Sequence, residues 1–163
     1  MPRLNRYLAL DWGERRIGLA ISDPSGTIAS PAGFILRRAG KRPPIAEVIR
    51  RADALAAQGF VAGLPLDEDG GETERSREVR TVGIALQRRT GLPVMLVDER
   101  YTTAIALRTV RALGGKTKDR AGDIDSLAAT VLLQHALRLA DESSGDGRMR
   151  MSEQPDVARD DAT

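Results

Sequence analysis

The stretch Tyr7-Leu8-Ala9-Leu10-Asp11-Trp12-Gly13-Glu14-Arg15-Arg16-Ile17-Gly18-Leu19-Ala20-Ile21-Ser22-Asp23 decides the fold. An apolar run ends on a carboxylate. A short turn follows, with Gly13 and a charged cluster, and then Ile17, Leu19 and Ile21 alternate with small residues. The pattern predicts two strands joined by a tight connection, with Asp11 at the end of the first. A carboxylate buried at a strand end is costly unless it is paired or bound to a cation. Asp11 therefore calls for partners elsewhere in the chain.

Downstream, Asp23-Pro24-Ser25-Gly26 is a turn signal. Thr27 to Leu36 favours a third strand, made irregular by Pro31 and Gly33 and so placed at a sheet edge. Three strands with short links imply an antiparallel meander. The pattern then changes. After the polar loop from Arg37 to Pro43, the apolar residues Ile45, Val48, Ile49, Ala52, Leu55 and Ala56 recur at helical spacing, with Pro44 near the start and Gly59 past the end. Phe60 to Leu64 is a short buried strand, stopped by Pro65, and Asp67 to Gly71 is an acidic loop. Glu72 to Thr90 reads as a helix closed by Gly91 and Pro93. Val94 to Val97 is wholly apolar, as a central parallel strand is, and runs into Asp98-Glu99-Arg100. A helix capped by Thr102 or Thr103, a basic loop from Gly114 to Gly122 and a last helix from about Ile124 to Leu139 complete the order. The expected class is α/β, one mixed sheet with helices on both faces. The expected domain spans residues 1–142, followed by a disordered acidic tail over 143–163.

Composition narrows the chemistry. The 163-residue chain has no cysteine and one histidine, His135. That argues against thiolate or His-rich zinc sites and fits a reducing, cytoplasmic setting. No window is long and apolar enough for a transmembrane helix, and no signal-peptide core follows Arg3 and Arg6. Residues 141–163 carry a net charge of −4, which leaves +6 of the overall +2 on residues 1–140. Basic pairs recur at Arg15-Arg16, Arg37-Arg38, Lys41-Arg42, Arg50-Arg51 and Arg88-Arg89. An anionic partner such as nucleic acid suits this balance; scattered solvated arginines are the plainer explanation.

Three acids sit where such a fold brings side chains together. Asp11 and Glu99 end strands, and ligands of parallel sheets collect outside the carboxyl ends of strands. In the last helix, at about 100° per residue, Ala128, Ala129, Leu132 and Ala136 fall on the side of Asp125. Ser126, Thr130, Gln134 and Arg138 form a polar arc with Asp123 in its middle. Asp125 is thus expected on the apolar face and Asp123 toward solvent, and the small alanines would let the helix approach the sheet closely. Each acid has a plainer role open to it: a turn for Asp11, a pair with Arg100 or Arg15 for Glu99, a first-turn helix acid for Asp125. Two carboxylates about 4 Å apart repel by roughly 4 kcal/mol at an effective dielectric near 20. Three together call for protonation or a divalent cation, and oxygen donors select Mg²⁺ or Mn²⁺.

With these residues in view, the chain resembles the YqgF/RuvX family of pre-16S rRNA nuclease and Holliday-junction-resolvase-like proteins. The motifs are Asp11-Trp12-Gly13 with Arg16-Ile17-Gly18-Leu19-Ala20, Gly63-Leu64-Pro65-Leu66 with Gly70, Asp98-Glu99-Arg100-Tyr101-Thr102-Thr103, and Asp125-Ser126-Leu127-Ala128-Ala129. The resemblance implies an RNase H-like, five-stranded mixed sheet, with Asp11, Glu99 and Asp125 as the catalytic and metal-binding acids. It places Arg16 and Arg100 on substrate phosphates. The basic residue that the family often carries before its last motif is Asp123 here, which leaves Lys116, Lys118 and Arg120 to supply positive charge. The implied activity is metal-dependent endonucleolytic hydrolysis of structured nucleic acid, with 5′ processing of pre-16S rRNA in ribosome biogenesis as the favoured setting. Resolution of branched DNA is the alternative, and a non-catalytic nucleic-acid-binding assembly or transcription factor on the same scaffold is a third. A monomer or homodimer away from membranes is expected.

Overall fold

The computed structural model describes residues 6–38, 40–101 and 121–144. Strand β1 (Tyr7–Trp12) and strand β2 (Arg16–Ser22) form the antiparallel hairpin that the opening stretch predicts, with Asp11 opposite Gly18. Strand β3 (Ala29–Leu36) pairs with β2 at the sheet edge. Its register slips by one residue between the Gly18–Phe34 and Ala20–Pro31 pairs, and Gly33 there takes a φ of 83°. The irregularity expected from Pro31 and Gly33 is therefore a β-bulge, opened by the residue type that takes a positive φ at no steric cost.

Helix α1 (Ile45–Ala54), strand β4 (Gly59–Leu64), helix α2 (Glu74–Thr90) and strand β5 (Val94–Asp98) follow as crossovers. Both β4 and β5 run parallel to β1, and the sheet order is β3-β2-β1-β4-β5. Thr73 and Ser76 form a reciprocal capping box at the start of α2, and Gly91 closes it in a left-handed conformation with φ 70°. A 3₁₀ turn (Glu99–Tyr101) ends β5, and helix α3 (Ala121–Ser144) returns across the sheet. It runs two residues past the boundary expected at 142. The Thr102/Thr103 cap, Lys116, Lys118, Arg120 and residues 145–163 lie outside the described residues.

The period of two along each strand divides the core between two layers. Leu8, Leu10, Trp12, Ile17, Leu19, Phe60 and Ala62 face α1 and α2, where Val48, Val79 and Leu86 meet them. Ala9, Ala20, Val61 and Val97 face α3, where Ala129, Leu132, Leu133 and Ala136 meet them. The layer under α3 is built of smaller side chains, so that helix lies close on the sheet.

The turn after β2 makes one pH prediction. The Asp23 carboxylate accepts hydrogen bonds from the backbone N–H groups of Thr27 (2.8 Å) and Ile28 (2.9 Å) and from the Ser25 hydroxyl. Chiefly through the Ile28 N–H and the Ser25 hydroxyl, these bonds hold its pKa down to about 2, from an ordinary 3.8. A carboxyl depressed in the folded state contributes stability above its unfolded pKa and loses it as pH falls through the folded one. Melting temperature followed from pH 6 to pH 2 should fall more steeply below pH 4 in the wild type than in Asp23→Asn. Parallel curves would remove Asp23 from the acid response.

Candidate active site

Asp11 lies on β1 between Leu10 and Trp12, which face α1 and α2, so its side chain is on the α3 layer. Across the antiparallel ladder its partner is Gly18. On the parallel side, Gly63 is one step beyond the Leu10–Ala62 pair. Both neighbours of Asp11 on its own face of the sheet therefore lack a side chain.

Each vacancy is filled by another candidate acid. A Cβ on Gly63 would lie 2.0 Å from Glu99 Oε1, because the Glu99 side chain folds back from the 3₁₀ turn over β4. A Cβ on Gly18 would lie 2.0 Å from the carbonyl oxygen of Asp125 and 3.1 Å from its Cα, because α3 crosses β2 there with its backbone against the strand. Adjacent strands are about 4.8 Å apart, so Glu99 and Asp125 flank Asp11 from opposite sides. All three are buried, at 3%, 2% and 2% exposure for Asp11, Glu99 and Asp125.

Side-chain contacts hold the three segments in place. The Ser126 hydroxyl donates to the Leu19 carbonyl at 2.8 Å within the core, which pins the α3 end that bears Asp125 to β2. Gln134 bonds the Ala29 N–H and the Thr27 carbonyl at the start of β3. The polar arc of α3 is thus partly a set of ties to the sheet, a role that helical phase alone does not distinguish from solvation. The side chain of Asp123 lies outside the described residues. Arg16 Nε lies 3.2 Å from Asp125 Oδ2 and brings positive charge to the buried acids.

On the other layer, Trp12 Nε1 donates to Glu78 Oε1 at 2.9 Å, and the Arg37 guanidinium lies 5.1 Å from the Trp12 ring centre. Arg37 also pairs with Glu78 and donates to the Gly13 carbonyl at 2.8 Å, while Arg75 pairs with Glu14 at 2.8 Å. The hairpin tip just past Asp11 is thereby braced against β3 and α2. No local sequence signal reveals this brace, because the Trp12–Glu78 bond spans 66 positions.

Arg100 forms a fork on Asp98, with Nε at 3.0 Å and Nη2 at 2.7 Å from Oδ2, and its Nη1 donates to the Glu68 carbonyl at 3.2 Å. The Arg100 side chain, through these hydrogen bonds, holds the Asp98 carboxyl below the ordinary carboxylate range. It joins the turn that presents Glu99 to the loop after β4, so in this structure its charge is engaged within the protein.

The donor set suits a hard divalent cation: three buried carboxylates, no thiolate, and two glycines that clear the space beside Asp11. Among the described residues, no group of three or more His, Cys, Asp or Glu side chains is placed so as to hold a metal ion together.

Comparison with known proteins gives one consistent family. The model described as "RuvX: Holliday junction resolvase" matches residues 5–139. An Anaplasma marginale protein named "Putative pre-16S rRNA nuclease" is 41% identical over 138 residues, which cover 83% of this chain and 85% of that protein. A Rickettsia bellii (strain OSU 85-389) protein of the same name is 35% identical over 130 residues, covering 80% and 84%. Among solved structures, T. thermophilus RuvC in complex with a Holliday junction substrate superposes with a TM-score of 0.52 at 12% identity, covering 83% of this chain and 95% of that one. At that identity the likeness is one of fold, and it makes the five-stranded mixed sheet an RNase H-like one.

Proposed function

This chain belongs to the RuvX family, and on that premise we propose that it is a divalent-cation-dependent endonuclease of structured nucleic acid, with Asp11, Glu99 and Asp125 as its acidic centre. The observation that carries the reading is the pair of glycines, Gly18 and Gly63, that let Asp125 and Glu99 close in on Asp11. Chains spending three buried carboxylates on one sheet end need a strong compensating interaction. Asp11, Glu99 and Asp125 would hold Mg²⁺ or Mn²⁺, which when bound supplies an activated water and neutralises charge on the scissile phosphate.

The remaining groups bind and orient. Arg16, a quarter exposed beside Asp125, reaches from the buried acids toward solvent and can meet a phosphate there. Arg100 can do the same only by loosening its fork on Asp98, so its larger part is to steady the turn that carries Glu99. Lys116 and Lys118 complete the substrate-binding set in the segment outside the described residues. The favoured substrate is pre-16S rRNA, because the relatives are named for it; processing at its 5′ end in the cytoplasm is the setting we assign with it. Among the described residues no helix is long and apolar enough to cross a membrane. The family description favours a second substrate, a branched DNA junction.

The test is to incubate the full chain with an extended 16S precursor and with a four-way DNA junction, each in Mg²⁺, Mn²⁺ or chelator. Metal-dependent cutting of the precursor is expected. Cutting of the junction alone would move the assignment to the second substrate. Binding of both with cleavage of neither would leave a nucleic-acid-binding scaffold and contradict the enzyme.

A further inference from the structure

We propose that the loop between β3 and α1 is a second phosphate-binding station for the nucleic acid, with Arg38, Lys41 and Arg42 gripping the backbone of the strand that leads into the acidic centre. The inference rests on the nuclease reading above and adds a surface that reading does not use.

Placement is the first ground. Strand β3 is antiparallel to β2, which is antiparallel to β1, so β3 ends at the same side of the sheet as Asp11. The start of the loop is fastened to the hairpin tip: Arg37 N–H donates to the Arg15 carbonyl at 2.7 Å, and the Arg37 guanidinium to the Gly13 carbonyl at 2.8 Å. Two strand spacings separate the ends of β3 and β1, about 10 Å. At an axial rise of about 3.4 Å per nucleotide, that is roughly three nucleotides.

Charge is the second ground. Residues 37–44 contain Arg37, Arg38, Lys41 and Arg42 and no acid. Arg38, Lys41 and Arg42 are exposed, and none forms an ion pair among the described residues. The carboxylates nearby are already engaged: Glu14 by Arg75, Glu78 by Arg37, and Glu47 by Arg50 and Arg51. Three neighbouring cations with no ion-pair partner among the described residues, held beside a basic hairpin tip, attract a polyanion and repel one another in its absence. Arg88 and Arg89 differ, since they sit in the last turn of α2, where cations complement the helix dipole.

Preorganisation is the third. Lys41 N–H bonds the Arg38 carbonyl at 3.1 Å, and Gly40 takes a φ of 70°, so Arg38 and Lys41 lie at the two ends of one tight turn. Pro43 and Pro44 stiffen the exit into α1. A basic loop fixed in this way loses less conformational entropy on binding than a free one.

The experiment is a salt titration of binding in chelator, so that nothing is cut, with a labelled stem-loop RNA and a labelled four-way DNA junction. It compares the wild type, the triple variant Arg38→Gln/Lys41→Gln/Arg42→Gln, and a control, Arg88→Gln/Arg89→Gln/Arg138→Gln, which removes the same charge near the far ends of α2 and α3. Each phosphate contact adds about 0.7 on a single strand to about 0.9 on a duplex to the slope of log affinity against log salt. The loop variant should lose about 2 to 3 from the slope. Between 50 and 200 mM salt its affinity should then fall about twenty- to forty-fold less than that of the wild type. Both probes should show the shift, the control should keep the wild-type slope, and melting temperatures should match. An unchanged slope in the loop variant, an equal change in the control, or a shift on one probe alone would overturn the proposal. If the wild type cuts in metal while the loop variant keeps its slope, only the loop assignment falls. If the wild type binds and cuts neither substrate, the nuclease reading falls with it.

Discussion

Asp11→Asn and Glu99→Gln should each lower cleavage by about three orders of magnitude, a loss of roughly 4 kcal/mol of transition-state stabilisation, while nucleic-acid binding stays within a few-fold of wild type. Each substitution keeps the size and shape of the side chain and removes its charge. Asp11 and Glu99 are nearly inaccessible, so neither can contribute much to gripping substrate directly. The charge itself is what a cation would require. The same variants should fold and melt near the wild-type temperature in chelator, because each keeps the size and shape of the buried side chain it replaces. A fall in both melting temperature and binding would mark these acids as structural. Gel assays of cleavage, anisotropy of binding and thermal melts on the same preparations separate the two cases.

The second large effect comes from single methyl groups. Gly18→Ala sets a Cβ against the Asp125 backbone, 2.0 Å from its carbonyl oxygen. No rotamer change relieves that contact, so α3 has to move off β2, taking with it the Ser126–Leu19 bond and the tight layer around Ala20 and Ala129. A loss of about 3 kcal/mol or more is expected, at the upper end of overpacking costs. Gly63→Ala meets the far end of the Glu99 side chain instead, also at 2.0 Å. A side chain can swing, so this variant should fold with a smaller loss, about 1–2 kcal/mol, yet lose most of its cleavage because Glu99 is displaced from Asp11. The contrast is the diagnostic part: a stability defect at Gly18 and an activity defect at Gly63. Equal melting temperatures for the two alanine variants would contradict the placement of α3 over β2.

Much of this arrangement is legible from local pattern. The hairpin follows from alternation around Asp11, the parallel strands from the apolar runs at Phe60–Leu64 and Val94–Val97, and the irregular edge from Pro31 and Gly33. The apolar phase of Asp125 also survives contact with the structure, since Ala129, Leu132 and Ala136 share its packing layer against the sheet. What local pattern does not reveal is which glycine serves what. In the sequence Gly18 and Gly63 stand out only as members of the family-like motifs. Their function is to be absent as side chains, and that depends on partners 107 and 36 positions away. Ser126 fell within a polar arc on helical phase, yet it is buried on the Leu19 carbonyl, because a lone hydroxyl can satisfy itself on a neighbouring strand. Arg37 looked like loop charge and proves to brace Trp12 and Glu78 across the domain. Arg100, expected on phosphates by family resemblance, spends its fork on Asp98, two residues away. Apart from that local fork these contacts are tertiary, and neither periodicity nor charge pattern encodes a pair so far apart.

The most direct test of the central claim, that Asp11, Glu99 and Asp125 act as one cation site, is Mn²⁺ binding to the full chain followed by the electron paramagnetic resonance of the free ion. The wild type should bind Mn²⁺, and Asp11→Asn, Glu99→Gln and Asp125→Asn should each weaken binding at least tenfold, about 1.4 kcal/mol per decade. Wild-type affinity in all three variants would contradict it.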